Sequence, residues 1–439
     1  MKARIVPIYF EPGRDHEFDL QLSRLRRMLS AEAEILEPVA VGSELPDCDG
    51  ALIPQLLGEA YRQADYFKAL DVPLLVITSE FGTMAMWDWE ICSYLREIGV
   101  NTLAPYSLEQ AKHICRALGA KRAMKGGKFI VFQDNPETGF QPEIFKRFYW
   151  WEDECTQRIL DKFGLIIEKR SFKEFGAAAK NIPDRQAAQV VGIKAIPCSS
   201  LTPHALNSAG KIYIALQREL AGESNVLGVG INCLNESHFS DSTPCLAFNL
   251  LYEEQQLIWG CEADTLTMLS KYIVHKSLNI PIMMTNLYPF LMGQAALKHE
   301  RIAAFPQMDT PAENHILLAH CGYLGVLPQS FAIEWCLRPK VLGIVDDDAS
   351  AIDARLPIGN ATMVKLGPNL EKITVAEGEL RGYAQFPGSD CLNGGVMRVA
   401  NGHKLMKNLT SHHTLLTTGH NLNDLEFIAP IFDIEIEVL

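Results

Sequence analysis

No two cysteines in this chain are spaced C-x-x-C, although eleven are present. They stand singly and their number is odd, so neither a disulfide framework nor a structural zinc site is expected. Most read as small buried hydrophobes in a reducing compartment. An uncharged apolar run of bilayer length is also lacking, which leaves no candidate for a membrane-spanning helix. The first ten residues read as a strand, too short for a signal h-region and without a cleavage site, so a cytoplasmic location is expected. Basic residues are outnumbered: 40 Lys and Arg stand against 53 Asp and Glu, giving a net charge of −13 with no basic stripe. That balance argues against nucleic acid, whose binding leans on Lys/Arg neutralisation of phosphate. Internal repeats and low-complexity linkers are absent as well. What is there is an ordinary globular composition, 48% hydrophobic and 21% charged over 439 residues. A chain of that length outgrows one core, so two or three domains are expected.

Strand and helix signals alternate through the first 120 or so residues. Arg4–Phe10, Gly50–Pro54 and Val72–Thr78 read as strands. Leu20–Glu32, Trp89–Ile98 and Leu108–Leu118 read as helices, the last capped by Ser107. A second α/β unit is expected after the loop 121–128, with strands at Lys128–Phe132, Leu165–Lys169 and Val226–Asn232. Helices are expected at Glu143–Phe163, carrying Trp150 and Trp151, and at Ile212–Leu220. Gly228 and Gly230 form a G-x-G without the third glycine or the later acid of a dinucleotide site, so close backbone packing is the expected role. From about Asn314 short alternating segments take over, with a hairpin turn at Gly367-Pro368-Asn369. The expected architecture is α/β: two doubly wound, Rossmann-like domains (1–122 and 123–300), then a β-rich, barrel-like domain (301–439).

Chemistry-bearing residues gather in the second half. Glu262 and Asp264 lie two apart at a helix entry, where free N–H groups and the helix dipole favour negative charge; an isolated E-x-D is more often a cap. His320 ends an apolar strand, Asn314-His315-Ile316-Leu317-Leu318-Ala319-His320-Cys321-Gly322, a place where a single histidine is usually a hydrogen-bonded core residue. His412 and His413 are paired beside Ser411 and Thr414. Neutral imidazoles near a carboxylate suit Mn²⁺ or a similar divalent metal. Trp150 and Trp151 could stack on a sugar face, although aromatics in a long helix more often fill a core.

The order of these motifs resembles the L-arabinose/L-fucose isomerase superfamily, most clearly over the last 180 or so residues. Ser411-His412-His413-Thr414, then Asn421-Leu422-Asn423-Asp424 and the alternating Asp433-Ile434-Glu435-Ile436, are similar to the C-terminal region of arabinose isomerases. Gly260-Cys261-Glu262-Ala263-Asp264 is similar to the family's glutamate element, and His320-Cys321-Gly322 to its strand-end histidine. The resemblance implies a metal-dependent aldose–ketose isomerase acting through a cis-enediol on an aldopentose or 6-deoxyhexose. Glu262, His320 and His413 would be metal ligands, with Glu262 also moving a proton. Asn286, Asp264 or water would complete the coordination, and Asp264 is a second catalytic candidate. It also implies a homotrimer or homohexamer.

One departure is sharp. Where the family carries a second acid, this chain has Thr285-Asn286, and no Asp or Glu occurs between Asp264 and Glu300. A catalytically degenerate relative or a sugar-binding protein is therefore the alternative expectation. Upstream, Pro73-Leu74-Leu75 followed by Glu80 and Trp87-Asp88-Trp89 is similar to a family segment that approaches a neighbouring subunit's active site. Glu80, Trp87 and His412 are accordingly candidate substrate-binding residues. The plainer reading of Glu80 is a strand-end carboxylate capping the next helix.

Overall fold

The β-branched, apolar segment β1 (Ala3–Tyr9) is the hub of the first parallel sheet. The computed structural model describes residues 1–10, 14–54, 59–81, 87–134, 152–234, 236–289, 298, 301–303, 311–343, 346–386, 389 and 393–439. β1 pairs in parallel with β2 (Ala33–Ile35), β3 (Val39–Ala40) and β4 (Gly50–Ile53). The sheet continues through β5 (Leu74–Val76) to β6 (Thr102–Leu103), in the order β2-β1-β4-β5-β6. Its core joins Val6, Ile8, Ile53 and Leu74 to Phe67, Cys92 and Leu95. Asp15 caps the helix His16–Met28 by accepting from Phe18 N at 2.9 Å, and Arg26 and Arg27 complement the dipole at its other end. Together with Lys276–Asn279 and Asn423–Glu435, residues Met1–Lys125 form one compact unit.

The helix Leu108–Met124 runs past its expected end at Leu118. A Cβ at Gly119 would lie 2.5 Å from the Met1 carbonyl oxygen. It is a contact glycine that lets the helix approach the chain at Met1–Ala3, so the helix continues through it.

The remaining residues form the second unit, which contains a parallel sheet and a barrel. The sheet has the order β10-β9-β7-β8, with β7 (Lys128–Phe132), β8 (Ile166–Arg170), β9 (Val226–Ile231) and β10 (Ile258–Cys261). Three helices absent from the sequence reading lie here: Phe172–Lys180, Asp184–Lys194 and Cys245–Gln255. The expected helix Ile212–Leu220 starts earlier, at Pro203, because Thr202 caps it and proline suits its first turn. Of the helix expected at 143–163, Asp153–Phe163 is helical; Trp150 and Trp151 lie outside the described residues.

Gly228, Gly230 and Gly260 occupy adjacent places on β9 and β10, where added side chains would strike Met268 of the helix Thr265–Leu278. The G-x-G is therefore a packing device, bringing that helix onto the sheet.

The C-terminal strands close into a six-stranded barrel. Its members are β11 (Ile282–Pro289), β12 (His315–Ala319), β15 (Gly359–Leu366), β16 (Lys372–Ala384), β17 (Gly394–Val399) and β18 (His413–Thr418). The ring runs β15-β18-β11-β12-β17-β16 and closes by β15–β16 pairing. β13 (Glu334–Pro339) and β14 (Ser350–Arg355) form a separate ladder, and β19 (Glu435–Val438) adds to β16. The turn after Gly367 joins β15 to β16, with Gly367 N donating to Lys372 O at 2.7 Å. β11 pairs antiparallel with β12 and β18, so it is a barrel strand although it precedes residue 300.

Candidate metal centre

Three strand ends deliver the site, all within the second unit. β10 stops at Cys261, and the next two residues take the left-handed conformation, Glu262 at φ 54° and Ala263 at φ 53°. Two consecutive non-glycine residues in that region cost backbone energy, a strain that concentrates at functional sites. Asp264 then opens the helix Thr265–Leu278, accepting from Thr267 N at 2.8 Å. From the barrel, His413 begins β18 and His320 follows β12. Asn286 of β11 lies between them, in register with His413 on one side and Ala319 on the other.

Glu262, His320 and His413 converge, with one ligand-capable atom of each within 4.8 Å of the others. Glu262 Oε1 is 3.5 Å from His413 Nε2 and 3.9 Å from His320 Nε2. The site is closed to solvent: Glu262 and His320 are 2% exposed and His413 is 0%. His320 Nε2 has no hydrogen-bond partner among the described residues. A buried polar atom without a partner is costly and calls for explanation. A carboxylate oxygen with two imidazole nitrogens is a donor set suited to a divalent first-row metal, so the residues fit such an ion. This buried group could hold a metal ion.

Both histidines are oriented from behind. His413 Nδ1 donates to Asp264 Oδ2 at 2.8 Å, because an ionised carboxylate can only accept, and this turns the Nε2 edge of the ring toward Glu262. His320 Nδ1 lies 3.2 Å from Asn286 Oδ1, which likewise makes Nδ1 the donor. Asn286 Nδ2 in turn donates to the Tyr288 hydroxyl at 3.3 Å.

Two of the sequence-based candidates have hydrogen-bond partners that the sequence does not show. Asn286, expected as a ligand, spends its amide oxygen on His320 Nδ1, the ring edge that faces away from Glu262. Asp264, expected to complete coordination or move protons, has both oxygens engaged elsewhere. Oδ1 accepts from Thr267 N, and Oδ2 accepts from Thr267 Oγ1 at 2.6 Å, from His413 Nδ1 and from Lys365 Nζ at 3.3 Å. Asp264 is a positioning residue.

Electrostatics follow from burial set against these partners. Burial pushes Glu262 up, but the charge and hydrogen bond of His413 outweigh it and hold the carboxyl at about 2. Burial raises Asp264 too, and Lys365, His413 and Thr267 together bring it well below the usual range. Burial lowers His320 to about 4. For His413 burial also opposes charge, yet Glu262 and Asp264 carry it above the ordinary imidazole value. His412, its ring 4.3 Å from that of His413, is half-buried and lowered to about 3 by burial and then by His413.

Glu80 and Trp87 belong to the first unit. Glu80 accepts from Ser79 Oγ at 2.7 Å, Arg24 Nη1 at 3.0 Å and Gln21 Nε2 at 3.1 Å, which matches a strand-end carboxylate with local partners. Trp87 opens the helix Trp87–Glu97, and its side chain lies outside the described set.

Two buried lysines were missed. Lys365 is ion-paired to Asp264, and Lys271 donates to the Trp259 carbonyl at 2.8 Å while its ammonium sits 4.2 Å from the indole centroid. A lysine inside the apolar run Met363-Val364-Lys365-Leu366 was the available signal. Lys271 supports a pH prediction. Burial holds its folded-state value at about 8 against an ordinary 10.5, so the unfolded chain binds that proton more tightly between the two values. A Lys271→Met variant should therefore gain stability over wild type below pH 8, and the gain should shrink between pH 8 and 10.5 and vanish above that range. Denaturant unfolding across that range reads it; a pH-independent difference refutes it.

No helix among the described residues is long and apolar enough to cross a membrane. No protein-family model matches this chain, and no curated protein matches it in sequence.

Proposed function

We propose that this protein is a metal-dependent aldose–ketose isomerase of the L-arabinose/L-fucose isomerase type, acting on an aldopentose or 6-deoxyhexose through a cis-enediol. The observation that carries the reading is the buried convergence of Glu262 with the Nε2 atoms of His320 and His413. A divalent cation held by these three residues, Mn²⁺ by the donor set, would polarise the carbonyl and hydroxyl oxygens of the sugar. Glu262 is the proton-moving group. Its carboxylate is ionised at neutral pH and takes a proton from the hydroxyl-bearing carbon for return to the former carbonyl carbon, while the hydroxyl proton passes to the former carbonyl oxygen. Asp264 and Asn286 keep the two imidazoles in the donor tautomer, and the closed surroundings exclude water from the enediol. The reading extends to helices covering both faces of each parallel sheet, a cytoplasmic location, and assembly as a trimer or hexamer.

Metal analysis of the purified protein, followed by a ketose assay over aldopentoses and 6-deoxyhexoses, should find bound divalent metal and turnover of at least one sugar. Absence of both rejects the reading.

One observation favours a second reading, a sugar-binding relative without turnover. Asn286 stands where the family's second acid is expected and is committed to His320, so it supplies no second base. Under this reading wild type is inactive and Asn286→Glu gains activity from zero. Under the first, wild type is active and the same change lowers turnover. Sugar binding by calorimetry that is indifferent to chelator would favour the binding protein.

A further inference from the structure

Three neighbouring parallel strands of the second unit end in one register. Cys261 of β10 lies opposite Ile231 of β9, and Ile231 lies opposite Phe132 of β7. The next residues along the chain are Glu262, Asn232 and Gln133. They form a row across the carboxyl edge of the sheet, the edge at which open α/β sheets bind their ligands. At about 4.8 Å per strand the row extends roughly 10 Å from the Glu262 strand to the Gln133 strand.

Two members of the row hold acceptors that no donor among the described residues reaches. Asn232 is 0% exposed and Gln133 8%. Asn232 Nδ2 donates to Glu236 Oε2 at 3.1 Å, and the Glu236 carboxylate is itself fixed by Asp134 N at 3.0 and 3.1 Å. A carboxylate only accepts, so this bond settles which end of the amide is which and turns Asn232 Oδ1 away from Glu236. That oxygen, and Gln133 Oε1 one strand further on, lack a hydrogen-bond partner among the described residues. Buried acceptors are normally satisfied, so two at neighbouring strand ends mark a place where donors arrive with a ligand.

We propose that the row Glu262–Asn232–Gln133 cradles the open chain of a neutral polyhydroxy substrate, with its reacting end at Glu262 and its tail hydroxyls donating to Asn232 Oδ1 and Gln133 Oε1. The inference rests on the isomerase reading of Glu262 and deepens it by assigning the substrate's direction and class. The reach suits a five- or six-carbon chain, and a three-carbon polyol anchored at Glu262 stops short of Gln133. Among the described residues the row offers acceptors and no cation of its own, which fits hydroxyl donors and disfavours a sugar phosphate.

Calorimetry on the full-length protein tests the cradle, with glycerol, threitol, arabinitol and arabinitol 5-phosphate as probes, in Mn²⁺ and again in chelator. Mn²⁺ is titrated separately without sugar. Affinity should rise from glycerol to arabinitol and fall for the phosphate. Gln133→Met, which keeps side-chain length and removes the acceptor, should weaken arabinitol roughly 5–10-fold, as expected for one neutral hydrogen bond. It should leave glycerol and Mn²⁺ binding unchanged. Asn232→Leu should weaken threitol and arabinitol alike; if it disturbs Glu236 and fails to fold, Gln133→Met still decides. Equal arabinitol affinity in wild type and Gln133→Met, or no arabinitol binding by wild type, overturns the cradle. The metal reading fails separately: Mn²⁺ that does not bind, with arabinitol weakened in Gln133→Met, rejects the metal centre and retains the cradle.

Discussion

His413→Asn should abolish Mn²⁺ binding in a protein that remains folded. An asparagine amide can place an N–H near the position of imidazole Nδ1, so Asp264 keeps a donor in place of the present 2.8 Å bond. The substitution removes Nε2, the atom 3.5 Å from Glu262 Oε1. One of three protein ligands is then gone, and affinity should fall by more than the roughly 10–100-fold that losing an outer partner of a metal-bound histidine costs. Asn286→Leu supplies that smaller loss for comparison, because it leaves all three ligands and removes only the acceptor behind His320. Mn²⁺ titration with circular dichroism as the folding control separates the two. Equal Mn²⁺ affinity in His413→Asn and wild type would mean that the convergence of Glu262, His320 and His413 is not a metal site.

The largest stability effect should come from Asp264→Ala. Asp264 is 0% exposed and Lys365 4%, and their ion pair spans 3.3 Å between the helix Thr265–Leu278 and β15. Removing the carboxylate leaves the Lys365 ammonium buried without its counter-charge, a loss of about 3–5 kcal/mol. The helix also loses its cap, worth about 1 kcal/mol. Metal affinity should fall roughly 10–100-fold, since nothing then holds the proton on His413 Nδ1. The double variant Asp264→Asn/Lys365→Met sharpens the test. Removing both charges of a buried pair is far milder than removing one, so most of the stability should return. Metal affinity should not, because a neutral amide is a weaker partner for imidazole than a carboxylate. Denaturant unfolding and Mn²⁺ titration should thus disagree for the double variant. If stability and affinity recover together, Asp264 does not position His413.

Glu262, His320 and His413 were legible as candidates from local pattern alone: a carboxylate at a helix entry, a histidine ending an apolar strand, a histidine pair before another strand. Asn286 and Asp264 were also noticed, but their hydrogen-bond partners were not. A sequence shows which donor atoms a residue owns but not which are already taken. Asn286 Oδ1 faces His320 because β11 runs between β12 and β18, a pairing between segments far apart in the chain. Lys365 went unseen for a related reason. Its partner Asp264 lies 101 residues away, and a lysine in an apolar strand acquires meaning only when its counter-ion is placed. The helix read as ending at Leu118 continues because Gly119 is a contact point with Met1, which the local pattern does not show.

By itself the sequence determined the alternation of strands and helices, the shift to β-rich texture after Asn314, the packing role of the G-x-G and which side chains carry metal-ligand chemistry. These follow from side-chain periodicity, backbone preference and donor chemistry, all carried by neighbouring residues. Only the tertiary structure decided that the late strands close into a ring, that β11 belongs to it, and that one acid and two imidazoles meet in a solvent-free space. It alone set Asp264 and Asn286 against the histidines and left the oxygens of Asn232 and Gln133 without donors among the described residues. Those outcomes depend on register between distant strands and on competition for each lone pair, which are properties of the folded arrangement.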